Sequence, residues 1–168
     1  MRSLSRDIRH STLASIAMAV FCAGLVGGSF FVQHVLLVEP CPLCIIQRYT
    51  YFLLAIVLFA AALLGRRPRA QCGLLLVAVA FVLFGGGVAA YQSKLQLFPA
   101  AQAATCSPSL TYMVDTLPMN ELIGRLFAAH GDCSDTSFKI LGLTLAEISF
   151  VAFCVLLVSL VTALRSRR

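Results

Sequence analysis

Four long blocks of apolar residues constrain the fold of this chain more than any other feature. They lie at about 12–32, 45–64, 71–91 and 143–164. The hydrocarbon core of a bilayer is roughly 30 Å thick, so a helix that crosses it needs about 20 apolar residues. A soluble core could not bury this much apolar surface in a chain of 168 residues that is 60% hydrophobic and 12% charged. We therefore expect an all-α membrane protein, a four-transmembrane-helix bundle that forms a single membrane domain over residues 1–168.

The basic residues predict how these blocks are oriented. Nine of the 13 Lys and Arg flank the blocks, at Arg2, Arg6, Arg9, Arg66, Arg67, Arg69, Arg165, Arg167 and Arg168. The positive-inside rule then places both termini and the 65–70 loop in the cytoplasm. Two loops, at about 33–44 and 92–142, face outward. This topology explains the net charge of +6, so no nucleic-acid partner is indicated.

The first apolar block has an alternative interpretation as a signal peptide. It is longer than the usual apolar region of such a peptide, and three further spans follow it. We therefore expect it to be a retained helix.

The predicted topology divides the seven cysteines into two groups. Three lie within or beside apolar blocks, namely Cys22, Cys72 and Cys154. A free cysteine in such a place behaves as a small buried hydrophobic residue. The other four lie in the outward loops, namely Cys41, Cys44, Cys106 and Cys133. If the cell is bacterial, that side of the membrane is oxidising, and an even number of cysteines there indicates disulfide bonds.

Cys41 and Cys44 form a C-x-x-C pair at the start of the second block. The ring that they close is very small and stabilises little, so the spacing suits reversible redox chemistry better than a structural staple. Pro42 fits the first turn of a helix, which places Cys41 near the N-cap and Cys44 in the first turn. The partial positive charge at a helix N-terminus favours a thiolate, the species that attacks disulfides or transfers electrons.

Arg48 lies four residues after Cys44, on the same face of the predicted helix. One interpretation is that Arg48 merely snorkels to the membrane interface. The other is that it stabilises a thiolate at Cys44 and donates to an oxygen of a lipid-soluble ligand. A quinone fits this description, because it has two carbonyl acceptors and an apolar tail. Gln47 could add an amide donor, although a lone polar residue is a weaker indication.

The long outward loop is the most polar part of the chain. Within it, apolar residues recur with helical spacing at Leu117, Leu122, Ile123, Leu126 and Phe127. We predict a short amphipathic helix on the membrane surface, although a helix packed on the bundle would show the same pattern. Such a helix would hold Cys106 and Cys133 near the bilayer and leave the loop able to move. These two cysteines could equally form a staple within the loop.

A metal site is a weaker hypothesis. His34 and His130, together with the outward cysteines, could supply zinc ligands. Neither loop carries the paired ligands that are typical of zinc modules, and zinc needs thiolates that do not persist in an oxidising compartment. We therefore expect no metal.

The glycine run at 85–87 indicates close helix packing or a local kink.

Three segments, in this order and on four spans, carry a family resemblance. They read FVQHVLLVEPCPLCIIQR, LQLFPAAQAATC and GDCSDTSFKILGL. The chain resembles, over essentially its whole length, the bacterial disulfide bond formation protein B (DsbB) family of inner-membrane quinone reductases. The resemblance implies a disulfide:quinone oxidoreductase of the bacterial inner membrane with its active-site loops in the periplasm. Its partners would be a thioredoxin-fold dithiol carrier of the DsbA kind and the membrane pool of ubiquinone or menaquinone, which feeds the respiratory chain.

The resemblance also implies a role for each matching residue. The carrier thiolate would attack a Cys106–Cys133 disulfide at Cys106. Cys133 would then attack Cys41 to form a transient Cys41–Cys133 bond. Cys44 would be released as a thiolate beside the quinone, and Arg48 would support both quinone binding and the charged thiolate. Electrons would pass to the quinone as Cys41 and Cys44 rejoin.

One position departs from the family pattern. The residue before Arg48 is often acidic in the family and is Gln47 here, which changes the charge beside Cys44.

Two other functions fit part of the sequence. A thiol enzyme resembling the vitamin K epoxide reductase family would share the chemistry, but that family usually places its C-x-x-C pair late in the chain. A metal-binding or structural membrane protein with stapled loops would use the cysteines without turnover.

Overall fold

The computed structural model describes residues 2–35, 41–97, 118, 139–140 and 143–165. These residues form four helices, α1 (Arg2–Val35), α2 (Pro42–Leu63), α3 (Pro68–Leu97) and α4 (Leu145–Arg165). Two short strands, β1 (Lys139–Ile140) and β2 (Leu143–Thr144), pair antiparallel before α4. Each helix contains a stretch long and apolar enough to cross a membrane, which confirms the predicted four-helix membrane fold. The predicted surface helix lies outside the described residues, as do Cys106, His130 and Cys133.

The helices extend beyond the apolar blocks that predicted them. The apolar part of α1 begins at Ser11, although the helix itself begins at Arg2. Helix α3 continues past the predicted boundary at residue 91 to Leu97. A helix satisfies its own backbone hydrogen bonds, so it can continue into water where the apolar residues stop. Hydropathy therefore locates the membrane, not the ends of the helices.

The start of α4 is set by a capping box. The backbone N–H of Thr144 donates to Glu147 Oε2 at 2.8 Å, and the N–H of Glu147 donates to Thr144 Oγ1 at 3.3 Å. The fourth apolar block was predicted to begin at residue 143, but residues 143–144 belong to β2. The Thr144 hydroxyl also donates to Gln96 Oε1 at 2.7 Å. This bond ties the end of α3 to the start of α4.

Packing in the bundle follows the order of the helices along the chain. Helix α1 packs on α2, α2 on α3 and α3 on α4, whereas α1 and α4 contact each other less. The fully buried core includes Cys22, Leu54, Leu58, Leu75, Leu156 and Leu160. Large apolar side chains are also exposed on every helix, among them Phe21, Phe59, Phe84 and Val158. An exposed apolar belt of this kind is suited to lipid.

Gly85 permits a close approach of α3 to α4. A Cβ atom placed there would overlap the ring of Phe153. Phe153 in turn stacks on Tyr51 of α2, with ring centroids 4.3 Å apart. The contact with Phe153 confirms close helix packing at Gly85, one of the two interpretations of the glycine run.

Candidate functional site

Cys41 and Cys44 form a disulfide at the N-terminus of α2, with their Cα atoms 5.1 Å apart. Cys41 is the N-cap residue, and its sulfur accepts a hydrogen bond from the backbone N–H of Cys44 at 3.2 Å. Pro42 occupies the first turn, as its fixed φ and missing donor predict. The pair therefore lies where the helix dipole favours negative charge on sulfur.

Apolar residues from α2 and α3 surround this disulfide. Cys41 is buried in a cluster with Leu43 and Val88, against which Tyr91 and Leu95 pack. Cys44 is only partly buried and lies at the edge of the same cluster. The two cysteines thus have different surroundings. Cys41 is enclosed by this cluster, whereas Cys44 also lines the cavity described below.

Gln92 of α3 contacts both sulfurs. Its Nε2 atom lies 3.2 Å from Cys41 Sγ and 3.2 Å from Cys44 Sγ. Gln92 was not among the predicted site residues because it lies just past the predicted end of the third span, where a glutamine is indistinguishable from a solvated loop residue. One signal was available. Gln92 follows Val88 by one helical turn and precedes Leu95 by three residues, so a longer α3 would place it on their face.

Gln47 is buried, and its amide bonds to Gln92. The Nε2 atom of Gln47 donates to Gln92 Oε1 at 2.7 Å. Gln47 was predicted to offer an amide donor to a bound quinone. The structure places it in the wall of the cavity described below, with one donor used by Gln92. A row of polar groups thus runs from Gln47 through Gln92 to the disulfide.

Arg48 extends toward α1. One terminal nitrogen donates to Gln33 Oε1 at 2.6 Å, and the other donates to the carbonyl oxygen of Ser29 at 3.3 Å. The guanidinium carbon lies 4.5 Å from the centroid of the Phe30 ring, a cation–π distance. Within the part of the chain that the structure describes, Arg48 Nε is buried without a hydrogen-bond partner. Gln33 and Ser29 are one turn apart on α1, a spacing that sequence reasoning could have found.

A cavity of about 300 Å³ opens between α1, α2 and α4, and α1 and α4 contact each other less than the sequential helix pairs do. Its wall includes Cys44, Gln47, Arg48 and Tyr51 of α2. The α1 and α4 sides are Gly24, Leu25, Val26, Gly28, Ser29, Val32, Gln33, Leu145, Ile148 and Ser149. The wall is mostly apolar with a few convergent polar groups, which is typical of a small-molecule site. The structure therefore brings Cys44, Gln47 and Arg48 together around one cavity.

The histidine available for the metal hypothesis has an aromatic environment. The ring of His34 is stacked on Phe30 with centroids 6.2 Å apart. Across the described residues, no group of three or more His, Cys, Asp or Glu side chains is placed to hold a metal ion. The remaining predicted redox residues, Cys106 and Cys133, fall outside the described residues, so their pairing stays a prediction.

Comparison with known proteins gives a consistent result over the whole chain. A family model described as "Disulfide bond formation protein DsbB" matches residues 11–163. The chain is 33% identical to the disulfide bond formation protein B of Aromatoleum aromaticum, over 100% of this chain and 99% of that one. It is 38% identical to the protein of the same name from Azoarcus sp. strain BH72, over 91% and 90% of the two chains. A Pseudomonas aeruginosa PAO1 relative, disulfide bond formation protein B 1, is 34% identical over 79% and 81%.

Proposed function

Since this chain belongs to the DsbB family of disulfide bond formation proteins, we propose that it is a membrane disulfide:quinone oxidoreductase. In this proposal the protein reoxidises a dithiol carrier of the DsbA kind and passes the electrons through two cysteine pairs to a membrane quinone. One observation carries the proposal. The Cys41–Cys44 disulfide reaches, through Cys44, the same cavity that Arg48 lines.

The electron path follows from disulfide exchange. A carrier thiolate attacks Cys106, the Cys106–Cys133 bond breaks, and a mixed disulfide forms. Cys133 leaves as a thiolate and attacks Cys41, which breaks the Cys41–Cys44 bond and releases Cys44 as a thiolate. The second carrier thiol then displaces Cys106, which leaves the carrier oxidised. When the two pairs reform, two electrons and two protons have left the carrier dithiol.

A bound quinone would supply the chemistry of the last step, by accepting those two electrons and two protons. The residues around the cavity fit such a group. The apolar side chains of Leu25, Val26 and Val32 suit a hydrophobic ring. Among the residues that the structure describes, Arg48 Nε is a buried donor without a hydrogen-bond partner, and a carbonyl oxygen would satisfy it. Both ubiquinone and menaquinone carry such carbonyls.

Residues of this chain would stabilise Cys44 as a thiolate. The N-terminal end of α2 favours the thiolate through the helix dipole, and Arg48 adds a positive charge to the same cavity wall. Ser29 and Gln33 orient Arg48 by accepting from its terminal nitrogens, which leaves Nε for a ligand. The apolar wall limits water around the thiolate, so these electrostatic effects are stronger than they would be in solution.

The proposed reaction also requires an orientation and a compartment. This multi-pass membrane protein would lie in the bacterial inner membrane with both termini cytoplasmic, as its basic residues predict. The active-site loops would then face the oxidising periplasm, where the carrier works. DsbA carriers have reduction potentials of about −120 mV and are themselves strong oxidants. Coupling to quinone reduction would therefore provide the driving force for oxidising them.

Quinone turnover by the purified protein tests the proposal. The protein in detergent would be mixed with a reduced DsbA carrier and a soluble ubiquinone analogue, and quinone absorbance would be followed. We expect catalytic quinone loss in the native chain and in Cys72→Ala, a matched variant of a cysteine that lies away from the site. We expect none in Cys44→Ala or Cys106→Ala.

One result would contradict the proposed reaction. If the native chain causes no quinone loss and its outward cysteines stay disulfide-bonded with the carrier present, the loops are stapled and the proposed reaction is wrong.

A further inference from the structure

The amide of Gln92 is a buried hydrogen-bond donor to the reacting atoms. Its side chain is 2% exposed, and Nε2 lies 3.2 Å from each sulfur of the Cys41–Cys44 disulfide. A disulfide has no hydrogen to donate, so an amide beside it can form hydrogen bonds only through its NH₂ group. The orientation of this amide is therefore fixed by chemistry as well as by packing.

Gln47 holds that orientation from the other side. Its Nε2 donates to Gln92 Oε1 at 2.7 Å, and Gln47 is itself 4% exposed. Gln47 lies three residues after Cys44 on α2, so the support for Gln92 comes from the helix that carries the disulfide. A rotation of the Gln92 amide would place its oxygen against two sulfurs and break both sets of bonds.

We propose that Gln92 is a catalytic residue that raises the reduction potential of the Cys41–Cys44 pair, and that Gln47 is its positioning residue. The use of this potential in turnover rests on the proposed function, whereas the potential itself is a property of the pair. Gln92 would make the pair a stronger oxidant and so assist electron transfer from the loop cysteines.

The physical reason is the difference between the two redox states. Reduction adds two electrons, breaks the S–S bond and leaves two sulfurs that hold either a proton or a negative charge. A disulfide sulfur is a weak neutral acceptor, whereas a thiolate is a charged one, and hydrogen bonds to ions are roughly twice as strong as neutral ones. The Gln92 donor therefore stabilises the reduced state more than the oxidised state. A stabilised reduced form is also what makes DsbA a strong oxidant.

Redox equilibration with glutathione tests this proposal without any quinone. The full-length chain would carry Cys106→Ser and Cys133→Ser, so that Cys41 and Cys44 are the redox pair under study. Each sample would be equilibrated in reduced and oxidised glutathione, and the free thiols would be alkylated and measured by peptide mass. Reduction of the pair consumes two glutathione thiols and produces one glutathione disulfide, so the equilibrium constant gives the potential.

The expected change follows from the direction of the stabilisation. In Gln92→Leu we expect the equilibrium constant for reduction to fall about tenfold, which is about 30 mV toward a more negative potential for two electrons. Gln47→Leu should move the potential in the same direction by a smaller amount, because the donor remains but is no longer held. Gln96→Leu is the matched control. It removes an amide one turn further along α3 that bonds to Thr144, and the potential should not move.

A second variant separates the electronic effect from simple misfolding. Gln92→Leu alone leaves the buried Gln47 amide without its acceptor, whereas the Gln47→Leu/Gln92→Leu double variant removes both polar partners together. We expect the double variant to fold and to show the same fall in potential as Gln92→Leu. An unchanged potential in the double variant would overturn the proposal. Because no quinone is present, this result is independent of whether the proposed turnover occurs.

Discussion

Helix α3 buries one glutamine near each of its ends, and the two amides have different environments. Both polar atoms of the Gln92 amide form contacts. Its Nε2 contacts the two disulfide sulfurs, and its Oε1 accepts a hydrogen bond from Gln47. Gln71 is fully buried, yet its Nε2 makes only a long 3.4 Å contact to Ser11 Oγ within the described structure. Its Oε1 has no hydrogen-bond partner among the described residues.

The two amides thus differ in how well their hydrogen-bonding groups are satisfied and in whether they contact the Cys41–Cys44 disulfide. An unsatisfied buried polar atom costs about 1–3 kcal/mol of stability. The Gln92 amide avoids that cost and also contacts the Cys41–Cys44 disulfide, whereas the Gln71 amide bears part of the cost near the other end of α3. Substitutions at the two ends of the bundle should therefore affect different properties, activity at one end and stability at the other.

The largest expected effect comes from the disulfide end. Cys44→Ala removes the sulfur that reaches the cavity and should abolish quinone reduction. Cys154→Ala, a free and exposed cysteine on α4, should retain native turnover. Both are measured as quinone absorbance loss with a reduced carrier. Equal turnover in the two variants would show that the cavity-facing sulfur has no special role.

Arg48→Met should have the next largest effect. The variant keeps roughly the length of the side chain but loses every side-chain donor, including Nε, which has no hydrogen-bond partner in the described part of the chain. Hydrogen bonds to charged groups contribute roughly 1.5–3 kcal/mol, so we expect the KM for quinone to rise by about tenfold or more.

Arg66→Met removes a positive charge from the loop between α2 and α3 and serves as the control for Arg48→Met. Its KM should match that of the native chain. If Arg48→Met leaves the KM unchanged, Arg48 merely anchors α2 at the membrane interface.

Between the two glutamines, Gly85 tests packing without chemistry. Gly85→Ala would push a Cβ atom into the Phe153 ring, and overpacking of this kind typically costs about 1–3 kcal/mol. Gly73→Ala is a matched change on the same helix with open space around it, and it should be neutral or stabilising by up to about 1 kcal/mol. Unfolding would be followed by helical circular dichroism against added denaturing detergent. Equal stability of the two variants would contradict the close α3–α4 contact.

The smallest effect is expected at the other glutamine. Gln71→Leu replaces a poorly satisfied amide with an apolar side chain of similar size, so stability should change by less than about 1 kcal/mol or increase. Turnover should stay native, because the disulfide is at the other end of α3. A marked loss of turnover in Gln71→Leu would remove the distinction between the two ends.

The sequence predicted the residues whose chemistry is local and missed those that depend on helix pairing. Cys41, Cys44 and Arg48 could be placed because they lie on one helix, where spacing fixes the face. Gln92 was harder to place, because its contacts depend on where α3 ends and on which side of α3 meets α2. The helices are apolar around most of their circumference, so periodicity does not identify the contacting side.

The ends of the helices were the second source of difference. Hydropathy ended the third span at residue 91 and so excluded Gln92 from it, although α3 continues to Leu97. The start of α4 was also missed by a small margin, because a capping box at Thr144 and Glu147 sets it. The glycine run was interpreted correctly at Gly85, since a residue without Cβ in an apolar helix indicates a close neighbour.

A single anaerobic reaction tests whether the Cys41–Cys44 pair passes electrons to a quinone. The full-length chain with Cys106→Ser and Cys133→Ser would be reduced, freed of reductant and mixed with a soluble ubiquinone analogue in the absence of oxygen. We expect each chain to reduce one quinone while the Cys41–Cys44 disulfide reforms, as measured by absorbance and by peptide mass after alkylation. If both thiols remain free and the quinone remains oxidised, the disulfide beside the cavity does not pass electrons to a quinone.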